Sequence, residues 1–497
     1  MFLPFGEWTP DQADLGSGGA TVAKNVWPRT ERSYGPINTF TSFTNALDAR
    51  CQGFFAGRSK AGNVAVFAGN ASKLYKLATA TFSDVSIVGG YTTGSEESWR
   101  FIQDGERVIA TNYADAIQTW TLDSSSAFAN LAAAAPKARH IAQVGEFVMV
   151  GNTDDTTDGK VPNRVWWAAI GDPTNWPTPG TASAASVQSD YSDLSGGGWV
   201  QALIGAVGGA AGLAICDSAI YRIDYEGAPT VFRFTAIEKA TGTPAPNSVV
   251  NVGPFAFYLG EPGGFYACDG SQSIPIGDGK VDKYFLSNID SSLYYRICSA
   301  VDPVNKLVFW AYPDGTHDTT NNPTQILCYN WTQRRWSIIE QQVQFIGRAI
   351  STGYTLEQLD SFGTMETLAY SLDSRLWTGG RIVLGAFGSD HKYGYFDGST
   401  MAATMETGEF ADDSGKRFFI QGVRPRVDGG TVTAAIGYRD SQSGSVTYGT
   451  ATSAGADGVC PQRISTRYPR ARVSIAAGGT WNHAQGIEPE FVFEGTR

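Results

Sequence analysis

One plan recurs along this chain: a short apolar run, a tight turn, and a second short run. "NVAVFAGNASKLYKLA" (63–78) turns at Gly69-Asn70, and "GLAICDSAIYRIDYEG" (212–227) turns at Asp217-Ser218. "FIQDGERVIATNYADAIQTWTL" (101–122) turns at Asp104-Gly105 and near Tyr113. "EFVMVGNTDD" with "NRVWWAAIG" (146–171), "PFAFYLGEPGGFYACDGSQSIPIG" (254–277) and "NKLVFWAYPDG" with "QILCYNWTQRRWSII" (305–339) repeat the plan. Runs of four to eight residues bounded by Gly, Asn, Asp and Pro are strands joined by turns. The sets recur about every 40 to 50 residues between roughly 50 and 345. That period fits one four-stranded sheet per repeat. A four-stranded sheet cannot bury both faces alone, whereas a closed array of them can. The expected fold is therefore all-β: a β-propeller of about six blades, with seven allowed.

Helical signals are few. "AFANLAAAAPKAR" (127–139) predicts a short helix stopped by Pro136, and 355–376 has some helical spacing interrupted by Gly363. From about 405 the alternation becomes cleaner, and Arg463, Arg467, Arg470 and Arg472 concentrate positive charge there. We expect a β-propeller domain over 1–405, its N-terminal segment completing the array. A β-sandwich-like domain is expected over 406–497.

"YGYFDGSTMAATMETGEF" (393–410) raises the question of chemistry against punctuation. Asp397-Gly398 sits in an aromatic–Asp-Gly-Ser context that "FYACDGSQS" (265–273) repeats. The Asp-Gly pair also stands at 104, 158, 278, 314, 428 and 457. Such a pair fills tight hairpin turns, whose central residues need positive φ. So many copies argue for turns, and Asp397-Gly398 is expected to be one. The set spacing of sialidase Asp-boxes is missing. Asp154, Asp155 and Asp158 could form a loose calcium loop, but Val165 stands where an EF-hand needs its bidentate Glu. A solvated loop is the simpler expectation. His140, His317, His391 and His483 form neither HExxH nor a zinc-ligand set with Cys. Trp166, Trp167 and Trp176 could stack on sugars, but Trp at strand ends packs between sheets. No catalytic, cofactor or metal residue is nominated, and no enzyme is expected.

Net charge is −11, which argues against gripping phosphates. The six cysteines, at 51, 216, 268, 298, 328 and 460, contain no CxxC pair and read as buried thiols formed in a reducing cytoplasm. The N-terminus shows no basic signal-peptide region. "ALIGAVGGAAGLAI" (202–215) is too short and Gly-broken to span a membrane, and reads as two buried strands with a glycine turn.

Six stretches together resemble one family. They are "FGEWTPDQADLGSGGATVAKNVWP" (5–28), "NRVWWAAIGDPTNW" (163–176), "AIYRIDYEGAPTVFRF" (219–234), "GFYACDGSQSIPIG" followed by "KVDKYF" (264–285), "LCYNWTQRRWSIIE" (327–340) and "RYPRARVSIAAGGTWNHAQGIE" (467–488). In that order they resemble the tail nozzle, or tail hub, proteins of short-tailed bacteriophages, also called packaged-DNA stabilisation proteins. The resemblance implies a structural virion protein assembled in the host cytoplasm. It implies a homo-hexameric ring below the adaptor, with tail fibres or tailspikes around it. The ring would extend and close the DNA channel until ejection, without sequence-specific DNA binding. A host-glycan-binding propeller at the tail tip is the alternative.

Overall fold

The computed structural model describes residues 2–16, 18–315, 319–351, 363–364, 366–367, 380, 382–412 and 415–494. His317 lies outside them, as does the helical spacing of 355–376 apart from 363–364 and 366–367. Across the described residues the chain is all-β, with only short helical turns. Four-stranded antiparallel units follow one another. Unit I covers 53–84, unit II 100–130, unit III 137–193, unit IV 200–238 and unit V 250–275. Unit VI, over 298–340, is the first part of a ten-stranded sheet. Unit VII takes three strands from 345–395 and its fourth, Thr41–Ala46, from far upstream.

The turn chemistry explains the local geometry. In unit IV, strands Val200–Val207 and Ala210–Cys216 meet at Gly208-Gly209, with φ of +53° and +83°. A Cβ on Gly208 would lie 1.7 Å from the Asp269 carbonyl oxygen, so glycine is required there on both counts. Gly105, Gly159 and Gly270 of the Asp-Gly pairs also have positive φ.

Seven apolar clusters join the units pairwise. Phe67, Trp120 and Phe128 link units I and II, and Ile109, Ile141 and Trp166 link II and III. Phe147, Trp167 and Phe232 link III and IV, and Leu213, Ile215 and Tyr258 link IV and V. Phe265, Trp310 and Trp336 link V and VI, and Phe309, Ile346 and Ala386 link VI and VII. The seventh cluster, with Phe54, Val66, Phe387 and Tyr393, joins unit VII back to unit I. The first strands of units VII and I, Phe345–Ile350 and Gly53–Arg58, also touch.

Two further sheets face each other at the C-terminal end. One contains Val26–Thr30, Ser33–Pro36, Ala484–Glu494, Arg417–Val427 and Cys460–Thr466, with Leu3–Pro4 at its side. The other contains Ala20–Lys24, Ala403–Thr407, Tyr468–Ile475 and Val432–Arg439. Phe418, Ile420, Ile436, Val473 and Ile487 fill the space between them. Ala20–Lys24 also pairs in parallel with unit VI, at Lys24 opposite Ile338, which joins unit VI and the second of these sheets into one ten-stranded sheet.

Two expectations need correction. The boundary expected at 405 falls inside the strand Ala403–Thr407, and residues 3–36 pair chiefly with the C-terminal sheets. Only Thr41–Ala46 of the N-terminal segment completes the unit array. The helix expected over 127–139 is absent. Ala129–Asn130 instead supplies the fourth strand of unit II, and Phe128 and Leu131 are buried. Burial of these anchors and a strand partner outweigh the weak helix preference of the alanines.

Gly394 tests the strand that Thr41–Ala46 adds to unit VII. A Cβ there would stand 2.0 Å from the Thr41 carbonyl oxygen, across the pairing of Gly394 with Ser42. Gly394→Ala should lower stability by about 1–3 kcal/mol, measured by chemical denaturation.

Candidate functional site

The densest polar contacts lie where the N-terminal segment crosses unit VI and the C-terminal sheets. Asn330 starts the hairpin of "NWTQRRW": its Oδ1 accepts from the Thr332 and Gln333 amides, and its Nδ2 donates to the Pro28 carbonyl. Arg334 then takes φ +55°, which delivers Arg335 at the head of strand Arg335–Glu340. Arg335 is 5% exposed. Its Nη1 donates to the carbonyls of Thr30 at 2.8 Å and Glu31 at 3.0 Å. Nη2 donates to those of Phe5 at 3.0 Å and Gly6 at 2.7 Å. The guanidinium lies 4.3 Å over the Tyr34 ring, whose hydroxyl also donates to Gly6. The next residue, Trp336, packs among Trp310 and Phe265 and donates to the Ile276 carbonyl.

The same segment clasps the helix Asp282–Asn288. Both Asp11 carboxylate oxygens accept from its first turn, at the Lys283 and Tyr284 amides. Lys280 pairs with Glu7 at 2.8 Å, and Trp8 packs edge-on to Tyr284. Asp282 accepts from the Phe265 amide. Burial, aided by Asp11 and Asp278, pushes its pKa up to about 7.

In the sandwich, the two glutamates of the 393–410 stretch are almost fully buried. Arg470 pairs with Glu406 at 3.2 Å, Glu409 at 3.0 Å and Asp14 at 2.8 Å. Arg472 pairs with Glu406 at 2.7 Å, and Arg439 with Glu409 at 2.7 Å. Tyr448 and Thr21 donate to Glu406 as well. Much of the basic character read at 463–472 is therefore neutralised inside the fold.

Asp397-Gly398 is not a hairpin tip. It lies in the link between Lys392–Tyr395 and Ala403–Thr407, and Gly398 lacks positive φ. Its Cβ would instead meet the Thr39 and Thr41 hydroxyls at 2.4 and 2.5 Å, so close approach is what demands glycine. Asp155 and Asp158 are drawn onto Arg164, with Asp193 opposite them. Arg164 is a built-in cation where a calcium ion was considered, while Asp154 stays on the strand pairing with Lys137. Among the described residues no His/Cys/Asp/Glu group could hold a metal. Trp166, Trp167 and Trp176 are buried. All six cysteines are buried and unpaired, and burial pushes Cys51, Cys216 and Cys298 up to about 12. Sequence reading missed Arg335, Asp11, Glu406 and Glu409. "NWTQRRW" was legible as a hairpin, but nothing local says which carbonyls its arginine meets.

No family model matches the chain, and no curated protein matches it. Among solved structures, the extracellular domain of a one component system from B. thetaiotaomicron aligns with a TM-score of 0.40 at 10% identity, over 86% of this chain and 46% of that one. The Neurospora crassa Pan2 WD40 domain aligns with a TM-score of 0.36 at 8% identity, over 73% of this chain and 91% of that one. The chain thus spans less than half the length of the first of these. Likeness at this level carries no argument about function.

Two measurements probe the joint. Arg335→Lys should cost about 3 kcal/mol in chemical denaturation, because one ammonium cannot span four separate carbonyls. Asp282 holds a proton in the folded state that the unfolded chain releases near its ordinary 3.8. Stability should therefore fall as pH rises from about 4 to 7 and stay lower above that. Asp282→Asn should melt higher than the parent at pH 8 and no higher at pH 4.

Proposed function

We propose that this chain is the tail nozzle protein of a short-tailed bacteriophage, a structural part of the virion. The carrying observation is where the six resembling stretches lie. Four of them, around Phe5–Trp8, Asp282, Arg335 and Arg470, meet in or beside the joint between unit VI and the sandwich. The other two face each other between units III and IV, as Trp167 against Phe232 and Phe234. Residues that resemble a family thus serve the frame of the molecule, as a mechanical part requires. We read the seven units as blades of a propeller, with Thr41–Ala46 as the closing strand. The pairwise clusters that return from unit VII to unit I support that reading.

In this proposal six copies surround the DNA channel below the adaptor ring and carry fibres or spikes outside. The channel closes until ejection and opens without any chemical step. A net charge of −11 suits a surface past which DNA slides. Burial of Trp166, Trp167 and Trp176 removes the stacking surface that motivated the glycan-binding alternative.

Electron microscopy of source particles labelled with an antibody to this chain tests the proposal. Label at the distal end of a short tail is expected. Label on lateral fibres or spikes, or on no particle, would overturn it.

A further inference from the structure

The first strands of units II, III and IV begin around a cavity of about 160 Å³. Arg100, Arg139 and His140 line it from these strands, and Glu97 lines it from the preceding loop. Arg139 Nη2 donates to Glu97, while its Nε has no partner. Among the described residues no group accepts a hydrogen bond from the Arg100 side chain. His140 is 3% exposed, and its Nε2 has no partner. Arg296 stands in the adjoining shell with Nε and Nη1 unpartnered, close enough to repel Arg50. The local acids are Glu97, engaged with Arg139, and Glu96, exposed at the rim. The lining itself thus holds two guanidinium groups and one imidazole against two carboxylates, one of which Arg139 already engages.

Among the described residues, the fold leaves the Arg100 side chain and His140 Nε2 without hydrogen-bond partners. Burial lowers Arg100 to about 10 against the attraction of Glu97, with Arg139 adding repulsion, so it still carries its charge at neutral pH. Burial, with Arg100 and Arg139 beside it, holds His140 well below the usual histidine range. The imidazole is neutral and adds a hydrogen-bonding atom without more charge. Donors without acceptors in a partly desolvated site lose stability that an acceptor would restore. Guanidinium groups match planar or tetrahedral oxyanions especially well.

We infer that this cavity binds a small oxyanion of carboxylate, phosphate or sulfate type, held by Arg100. The cavity has room for several waters and therefore for a compact anion. The inference does not depend on the nozzle reading.

Isothermal titration calorimetry of the full chain with phosphate, sulfate and succinate, at ionic strength matched with chloride, tests it. At least one should bind saturably, and Arg100→Gln should weaken that binding roughly tenfold or more. Without anion, Arg100→Gln should melt no lower than the parent, because it loses no hydrogen bond, and relief from burial and from Arg139 offsets the lost attraction to Glu97. Absence of saturable binding for all three anions would overturn the inference. So would equal binding by the variant, or a lower melting temperature without anion, which would make Arg100 a structural residue.

Discussion

Four backbone carbonyls converge on one guanidinium where the N-terminal segment crosses unit VI. None of the four belongs to unit VI itself, and the buried Phe5 carbonyl would be a costly acceptor if left alone. Arg335 meets all of them because its donors are rigidly splayed in one plane. That contact fixes residues 5–6 and 30–31 at the same time. It thereby sets where Ala20–Lys24 can pair with Ile338 and where Trp8 and Asp11 can reach the Asp282 helix. The packing of Trp336 among Trp310 and Phe265 follows from the same strand register. The sandwich and the units share one apolar cluster because this contact holds them together.

Charge is handled in a related way throughout. Arg164 gathers Asp155, Asp158 and Asp193, and Arg470 gathers Glu406, Glu409 and Asp14. Breaking such buried groups is costly even where forming them contributes little. They act as register pins between segments distant in sequence. They also remove arginines from the surface, so the basic look of 463–472 does not become a basic face.

The parts legible in the sequence were those decided within about twenty residues. Strand pairs such as 64–78 and 200–216, the glycine turn at 208–209 and the burial of the cysteines all have local causes. The misread parts were decided by distant partners. Gly398 looks like every other Asp-Gly turn, yet Thr39 determines its geometry. The alanines of 127–139 favour a helix until strand Gln118–Thr121 offers an edge. Thr21 meets Glu406 across 385 residues, a pairing no single sequence can display. Arg100 gave no signal because an isolated arginine at a strand start is ordinary on most surfaces.

Thr41–Ala46 sets a clock on biosynthesis. Its partner Lys392–Tyr395 leaves the ribosome some 350 residues later, and the strand Ala484–Glu494, which pairs with Leu3–Pro4 and Tyr34, follows later still. At about 5–20 residues per second, the first strands wait on the order of tens of seconds with unpaired edges. Units I to VI can pair their own strands in order of emergence during that interval. Completion must then be a late, single event in which both chain ends dock together. A nascent chain halted before residue 392 would leave unit VII one strand short and the N-terminal arm without its sandwich partners, and would present both edges to any neighbouring copy.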